Sequence, residues 1–338
     1  MAALSQEAAA LRHAVLGYRL SQCIVVAAEF RIADLLVDGP RTVDEIAAMT
    51  GSDCSTLYRV MRLLASEGIF VEDQPRRFAL TPLAEPLCTG SPSCLRDRVL
   101  AYMSPSGWGA YGRLGDAVRS GRPAFEHAFG TDLFSYLEAH AGEAELFNRA
   151  MAEQTAEAAP ALIQAYPFPQ SGTFVDLGGG LGALVESVVR ECPGMSGWLF
   201  DQPHVVEAAR HRLAAVGLDE KVKVVGGSFF EEIPAGCDLY ALKHILHDWD
   251  DDRCRAILTV CRKAMSASAR LLIIEVIVPP GNEPLYGKYL DLSMLVLTPG
   301  GRERTQEEYR AMLAASGLRL ERTFPTMVGF EILEAASA

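Results

Sequence analysis

The absences in this chain narrow it first. No stretch holds eighteen consecutive uncharged apolar residues, so no membrane span is expected. The N-terminus, Met1 to Ala10, contains Gln6 and Glu7 and lacks a basic region followed by an apolar core, so it does not read as a signal peptide. No Cys-x-x-Cys pair occurs among the eight cysteines (Cys23, Cys54, Cys88, Cys94, Cys192, Cys237, Cys254, Cys261). They read as reduced thiols of a cytoplasmic protein, not as a disulfide framework or a zinc site. Positive charge is also short: 31 Lys and Arg against 43 Asp and Glu leave −12. That balance argues against a nucleic-acid partner, whose phosphates are bound mainly by Lys and Arg. What remains is 338 residues, 49% of them hydrophobic, which suits about two domains with sizeable cores.

Residues 11–36 are apolar and helix-prone, and a helix this evenly apolar is expected to bury itself against something beyond its own domain, such as a partner subunit. Thr42 and Glu45 have capping-box spacing for a helix ending near Gly51. Leu57, Val60, Met61 and Leu64 form one buried stripe of a second helix that stops at Gly68. Ile69–Val71 and Phe78–Leu80 flank a polar turn and read as a hairpin, after which Thr81-Pro82 predicts another helix start. Helix, helix, hairpin is a winged-helix pattern. Between Pro40 and Pro86, however, five arginines face seven acids, so the module is not the basic surface that DNA reading requires. A structural or dimer-forming use fits better.

Residues 91–165 carry aromatics and methionines at helical spacing (Tyr102, Trp108, Phe125, Phe134, Phe147 and Met151 among them), suited to core and in part to the wall of an aromatic ligand's pocket. After Pro167 and Pro169, strands alternate with helices. Strands are expected at Thr173–Leu177, Gly197–Phe200, Val222–Val225, Asp238–Leu242 and Arg270–Ile277, and helices near 183–191, 204–215 and 251–265. This order predicts a doubly wound α/β sheet that binds its ligand beyond the carboxyl ends of the strands.

Three features there carry chemistry. Asp176-x-Gly178-x-Gly180-x-Gly182 lets the backbone turn tightly and approach a ligand closely. Asp201, 19 residues beyond Gly182 at a strand end, suits the two hydroxyls of a ribose. His247 follows the apolar run from Leu239 to Leu246, at the edge where the ligand should sit, and Glu275 and Glu303 are acids placed to orient it. Glu303 has an alternative as the salt-bridge partner of Arg302 or Arg304. His244 and His247 resemble a metal pair, but no further ligand lies nearby in sequence, so no metal is expected. Gly178-x-Gly180-x-x-Ala183 also satisfies the looser dinucleotide fingerprint, which keeps a nicotinamide oxidoreductase as an alternative.

Four ordered motifs, Asp176-Leu-Gly-Gly-Gly-Leu-Gly, Asp201-Gln-Pro-His-Val, Lys243-His-Ile-Leu-His247-Asp-Trp and Gly300-Gly-Arg-Glu303-Arg-Thr, together resemble the S-adenosylmethionine-dependent O-methyltransferases of the caffeic acid and hydroxyneurosporene type. The resemblance spans nearly the whole chain. It implies a winged-helix dimerisation domain (1–90), a helical substrate-wall region (91–168) and a Rossmann-like methyltransferase domain (169–338), assembled as a homodimer without nucleic-acid or membrane partners. It further implies cofactor contacts from Gly178, Gly180, Asp201, Ser228, Phe229 and Thr155, with Lys243 beside Phe229 near the adenine. Met151, Trp249, Asp291 and Met294 would line the acceptor pocket, and His247 would act as base between Glu275 and Glu303. The implied reaction is metal-independent methylation of a phenolic or enolic hydroxyl on a bulky aromatic natural product. A related fold performing decarboxylation or hydroxylation is a further alternative. One departure stands out: Gly226-Gly227-Ser228-Phe229-Phe230 has Ser228 where the family usually has an acid, which implies weaker cofactor binding.

Overall fold

Helix ends in the N-terminal part are set by short polar side chains. Ser5 Oγ accepts the Ala8 N–H at the start of the helix Gln6–Glu29. Thr42 and Glu45 form a full capping box for Val43–Thr50, which Gly51 ends at φ 68°. Asp53 caps Cys54–Ser66, whose inward face carries Leu57, Met61 and Leu64. The apolar stretch 11–36 is not one helix: Arg31 adopts a left-handed φ of 52° and separates Gln6–Glu29 from the short helix Ile32–Leu35. Strands β1 (Arg41–Thr42), β2 (Phe70–Gln74) and β3 (Arg77–Leu80) form an antiparallel sheet in the order β1-β3-β2, completing a winged helix. The helix expected at Thr81-Pro82 does not form. The Thr81 hydroxyl instead donates toward the carbonyls of Gly68 and Ile69, tying the end of the hairpin back to its start, and only a single 3-10 turn, Glu85–Leu87, follows.

The structure, a computed structural model, describes residues 5–91, 93–283 and 285–338. It separates into two compact units, Met1–Pro105 and Ser106–Ala338, so the segment 91–168 is shared between them. Within the first unit, Leu11 and Val15 remain 69% and 62% exposed, so the long helix has an apolar surface that its own unit leaves open.

The second unit is built on seven strands: β4 (Gly172–Leu177), β5 (Met195–Asp201), β6 (Val222–Gly226), β7 (Leu239–Lys243), β8 (Arg270–Glu275), β9 (Leu318–Pro325) and β10 (Glu331–Ser337). Their order is β6-β5-β4-β7-β8-β10-β9. The pairings from β6 to β8 are parallel, and β10 runs antiparallel to both of its neighbours. The crossover helices Ala183–Glu191, Pro203–Ala215 and Asp251–Ala264 lie close to their expected places. Strand order reverses between β4 and β7, which opens a crevice at their carboxyl ends. The antiparallel β10, inserted between β8 and β9, departs from the all-parallel order of a dinucleotide-binding sheet. Both faces of the sheet are apolar, with Val175, Leu177, Leu242 and Ile273 on one and Phe174, Ala241, Leu272 and Ile274 on the other.

A buried acid of the sheet, Glu334, shows how such a group is accommodated. Glu334 of β10 is 2% exposed and accepts a 2.6 Å hydrogen bond from the Tyr166 hydroxyl, with Arg322 of β9 bridging its carboxylate at 2.9–3.1 Å. Burial together with that carboxylate pushes the Tyr166 phenol well above its ordinary value, so it stays protonated. Tyr166→Phe removes the donor and leaves the buried oxygen short of a partner. We expect a loss of about 1–3 kcal/mol in stability, read from urea denaturation, with no change in substrate turnover.

Candidate active site

The glycine loop leaves β4 and enters the helix Ala183–Glu191. Gly178, Gly180 and Gly182 all have positive φ (71°, 55° and 84°), which L side chains rarely adopt. At Gly178 a Cβ would come 2.3 Å from Ile245 Cδ1, whereas at Gly180 it would project into open space. The loop is thus tight against the protein on one side and open toward the crevice on the other. The Gly178 amide donates to the Phe200 carbonyl at 2.7 Å, holding the loop to the end of β5. Asp201 closes that strand. Its Oδ2 accepts the Gly180 amide and its Oδ1 accepts the Gln202 amide, both at 2.7 Å. Each oxygen keeps lone-pair capacity for one further donor, which is what two vicinal ribose hydroxyls need.

β7 ends at Lys243, one residue beyond its expected end at Leu242. His244 takes a left-handed φ of 53° and turns the chain, so His247 sits on a single 3-10 turn, Leu246–Asp248, and not on the strand itself. Glu275, the last residue of β8, holds that turn from its amide side. Its Oε1 accepts the amides of Ile245, Leu246 and His247 at 3.2, 3.0 and 3.4 Å. Glu303 approaches from a segment 56 residues away in sequence, and its Oε1 lies 2.7 Å from His247 Nδ1. Glu275 Oε2 is 3.6 Å from the same nitrogen. The expected bracketing of His247 by two glutamates is therefore present, and the salt-bridge alternative for Glu303 is not. Arg302 and Arg304 turn to Asp251 instead.

Electrostatics here are governed by burial. It pushes the Glu275 carboxyl up to about 7, and the Glu303 carboxyl, with Asp291 adding repulsion, up to about 8. Desolvation, with Lys243 and His247 beside it, holds His244 well below the ordinary histidine range, so it stays neutral. Sequence reasoning missed Asp248. Its Oδ1 lies 3.7 Å from His247 Nε2, and burial raises its carboxyl to about 7. Adjacency to His247 was the available signal, but only the turn brings the two side chains together. Asp291, expected to line the acceptor pocket, spends Oδ1 on the Glu303 amide at 2.9 Å and so supports that glutamate.

The remaining expected residues divide between the site and its surroundings. Phe229 packs beside the Gly178 position and joins Phe230, Trp249 and Phe134 in an aromatic cluster. The Trp249 ring also lies under the Arg253 guanidinium, 5.0 Å from its centroid, and belongs to this cluster more than to a free wall. Ser228 Oγ accepts the Phe230 amide at 3.3 Å, which leaves its proton for another acceptor. Met151 and Thr155 are half-buried on the helix Ala141–Ala165, where the Thr155 hydroxyl donates to the Met151 carbonyl. Met294 is buried on Tyr286–Leu297.

Lys243 is the last residue of β7. Strand alternation places it on the sheet face of Ala241 and Asp176, opposite the face on which Phe229 packs, with Nζ 5.2 Å from the Phe330 ring. Burial lowers it to about 8 and raises Asp176 to about 7, and the attraction between the two opposes both shifts. His244, His247 and Glu275 do bring possible ligand atoms within 4.8 Å of one another. The two rings, however, stack at 4.4 Å and 26°, so their in-plane lone pairs run side by side and do not converge on an ion. Glu275 Oε1 and His247 Nδ1 already hold hydrogen bonds. His244 Nε2 and Glu275 Oε2 are buried without a hydrogen-bond partner.

With this geometry established, comparison with known proteins is informative. Residues 12–90 match the O-methyltransferase dimerisation domain and residues 111–319 the O-methyltransferase domain. The chain is 44% identical over 321 residues to a phenazine O-methyltransferase of Lysobacter antibioticus, covering 95% of this chain and 94% of that one. It is 32% identical to a phenazine-1-carboxylate N-methyltransferase of Pseudomonas aeruginosa, covering 96% of each. The crystal structure of an O-methyltransferase from neocarzinostatin biosynthesis, in complex with S-adenosylmethionine and 2-hydroxy-5-methyl naphthoic acid, superposes with a TM-score of 0.82 at 30% identity, covering 94% and 96%. The loop that is open at Gly180 and the Asp201 oxygens fit S-adenosylmethionine, and the antiparallel β10 sets the sheet apart from the nicotinamide alternative. The chain belongs to the S-adenosylmethionine-dependent O-methyltransferase family and carries that family's dimerisation domain ahead of its catalytic domain.

Proposed function

We propose that this enzyme methylates a phenolic or enolic hydroxyl of a bulky aromatic natural product, without a metal, and that His247 removes the hydroxyl proton. The observation that carries the reading is the 2.7 Å contact between His247 Nδ1 and Glu303 at the carboxyl edge of the sheet, across the crevice from the glycine loop. An Nδ1–H donating to Glu303 leaves Nε2 as the nitrogen with a free lone pair, and that nitrogen faces Asp248 and not the two glutamates. S-adenosylmethionine supplies a methyl group on a sulfonium, an electrophile that needs no further activation. Gly178, Gly180 and Asp201 hold and orient it, while Phe229 and Trp249 offer flat apolar surface near the adenine. The relatives that act on phenazines and on a hydroxylated naphthoate favour a flat aromatic acceptor.

Positioning supplies most of the acceleration, up to about 7–11 kcal/mol where reactants are well aligned. An ordinary phenol near 10 and a free imidazole near 6.5 make full proton transfer uphill by roughly 5 kcal/mol. Proton removal coupled to methyl transfer avoids that intermediate, and Glu303 and Glu275 stabilise the imidazolium as it forms. A ring nitrogen without a proton, as in an N-methyltransferase, would need no such base, so the His247 cluster favours oxygen over nitrogen as the acceptor atom. The dimerisation-domain match and the exposed Leu11 and Val15 support a homodimer joined through the N-terminal helices.

Three outcomes test this reading. Screening hydroxylated phenazines, naphthoates and quinones for methyl transfer by mass spectrometry identifies the acceptor. With that acceptor His247→Ala should lose about 10²- to 10⁴-fold in kcat while its Kd for S-adenosylhomocysteine stays within twofold; near-normal turnover in the variant rules out the base. S-adenosylhomocysteine should raise Tm and NADH should not. Asp201→Ala should weaken S-adenosylhomocysteine about 10- to 100-fold by calorimetry, because it removes acceptors worth about 1.5–3 kcal/mol.

The pH dependence follows from the raised acids. In the folded state Glu275 and Glu303 keep their protons to about 7 and about 8, well above the unfolded value of about 4.3. The stability they contribute is fully present below that value and is lost as pH rises through 7 and 8, where the unfolded chain has already released its protons. Glu303→Gln deletes one of these titrations. The fall in apo-enzyme Tm between pH 5 and pH 8.5 should therefore be smaller in the variant than in the wild type, and an equal fall would contradict the assignment.

A further inference from the structure

Arg304 is completely buried, and it follows Glu303 directly in sequence. A cation in that position needs a reason, and its hydrogen bonds supply one. Nη1 donates to the Leu246 carbonyl at 2.9 Å, and Nη2 donates to the Trp249 carbonyl at 2.8 Å. Those two carbonyls bracket His247 and Asp248, so one guanidinium holds both ends of the turn that carries the imidazole. Asp251 Oδ1 accepts from Nε at 3.0 Å and from Nη2 at 2.8 Å, which fixes the plane of the fork. The preceding residues close on the same turn. At Gly301 a Cβ would lie 2.3 Å from the His247 carbonyl oxygen and 2.8 Å from the Asp248 carbonyl carbon, so only glycine allows this approach. Bridges between Trp249 and Gly300 and between Ile277 and Arg304 keep the strand segment in register.

We propose that Arg304, braced by Asp251, is a positioning residue for methyl transfer, locking the turn that carries His247 onto the segment that carries Glu303. The proposal rests on His247 being the base. Glu275 holds the amides of the turn and Arg304 holds its flanking carbonyls, so the backbone that carries the imidazole cannot shift relative to Glu303 without breaking one set. Lysine cannot replace this function: it carries a point charge on a flexible stem, whereas the guanidinium is a rigid planar fork that serves two carbonyls and a carboxylate at once. Arg302 provides an internal contrast. It pairs with the same Asp251 and with Glu308 and donates to neither flanking carbonyl.

The test uses the full-length enzyme carrying ¹⁵N-labelled histidine, saturated with S-adenosylhomocysteine. A hydrogen-bonded Nδ1–H of His247 gives a low-field proton signal, assigned by its loss in His247→Ala. Arg304→Lys should lose or broaden that signal and lower kcat about 10- to 100-fold on the acceptor found by the screen, with KM and the Kd for S-adenosylhomocysteine within about twofold; a displacement near 1 Å has that cost. Asp251→Asn should move the same readouts in the same direction by less, and it decides the question if Arg304→Lys does not fold. Arg302→Gln should move none of them. An intact ring-proton signal with normal kcat in Arg304→Lys overturns the proposal. So does a fall in activity that merely tracks a fall in the number of S-adenosylhomocysteine sites, which marks a residue needed only for folding. Turnover in His247→Ala would sink the base assignment alone, and the ring proton of Arg304→Lys would still decide whether the clamp holds.

Discussion

The 2.7 Å contact between His247 Nδ1 and Glu303 Oε1 is the interaction on which the rest of this active site depends. It joins a turn after β7 to a segment between β8 and β9, and neither can place the imidazole alone. A hydrogen bond gains strength where water is excluded and both partners are held. The surrounding structure supplies both conditions. Glu275 gathers three consecutive amides of the turn, Asp291 takes the amide of Glu303, and the glycine pair Gly300-Gly301 lets two backbones meet where a side chain would not fit.

Three carboxyls around one imidazole are costly to bury, and their raised values record that cost. It is also the source of their use. A cluster poised between about 7 and about 8 near neutral pH holds and releases protons over the interval in which a base must work. The neutral His244 stacked on His247 adds no competing charge. The same low polarity that destabilises the carboxylates strengthens their attraction for an imidazolium, the charge that the proposed proton removal would create.

Much of the architecture was legible in the linear pattern, and the misreadings are physical in origin. The capping box at Thr42 and Glu45, the stripe on Cys54–Ser66 and the alternation of strands and helices after Pro169 are local signals, because they depend on neighbours within one or two turns. Thr81-Pro82 misled because the Thr81 hydroxyl found carbonyls across the hairpin in place of a helix amide. The strand before His247 ends within one residue of its expected place, and left-handed His244 then turns the chain.

Sequence alone placed the glycine loop after β4, Asp201 at the end of β5, and His247, Glu275 and Glu303 as candidates for one cluster. Glycine spacing and strand-end positions are constraints that act along the chain. Only the tertiary structure decided which acid meets Nδ1, that Asp248 shares the site, that Asp291 supports Glu303, and that Arg304 grips the turn instead of Glu303. Those choices are made between segments tens of residues apart. They depend on burial, which penalises every unpaired charge and so selects the one arrangement in which each buried group finds its partner.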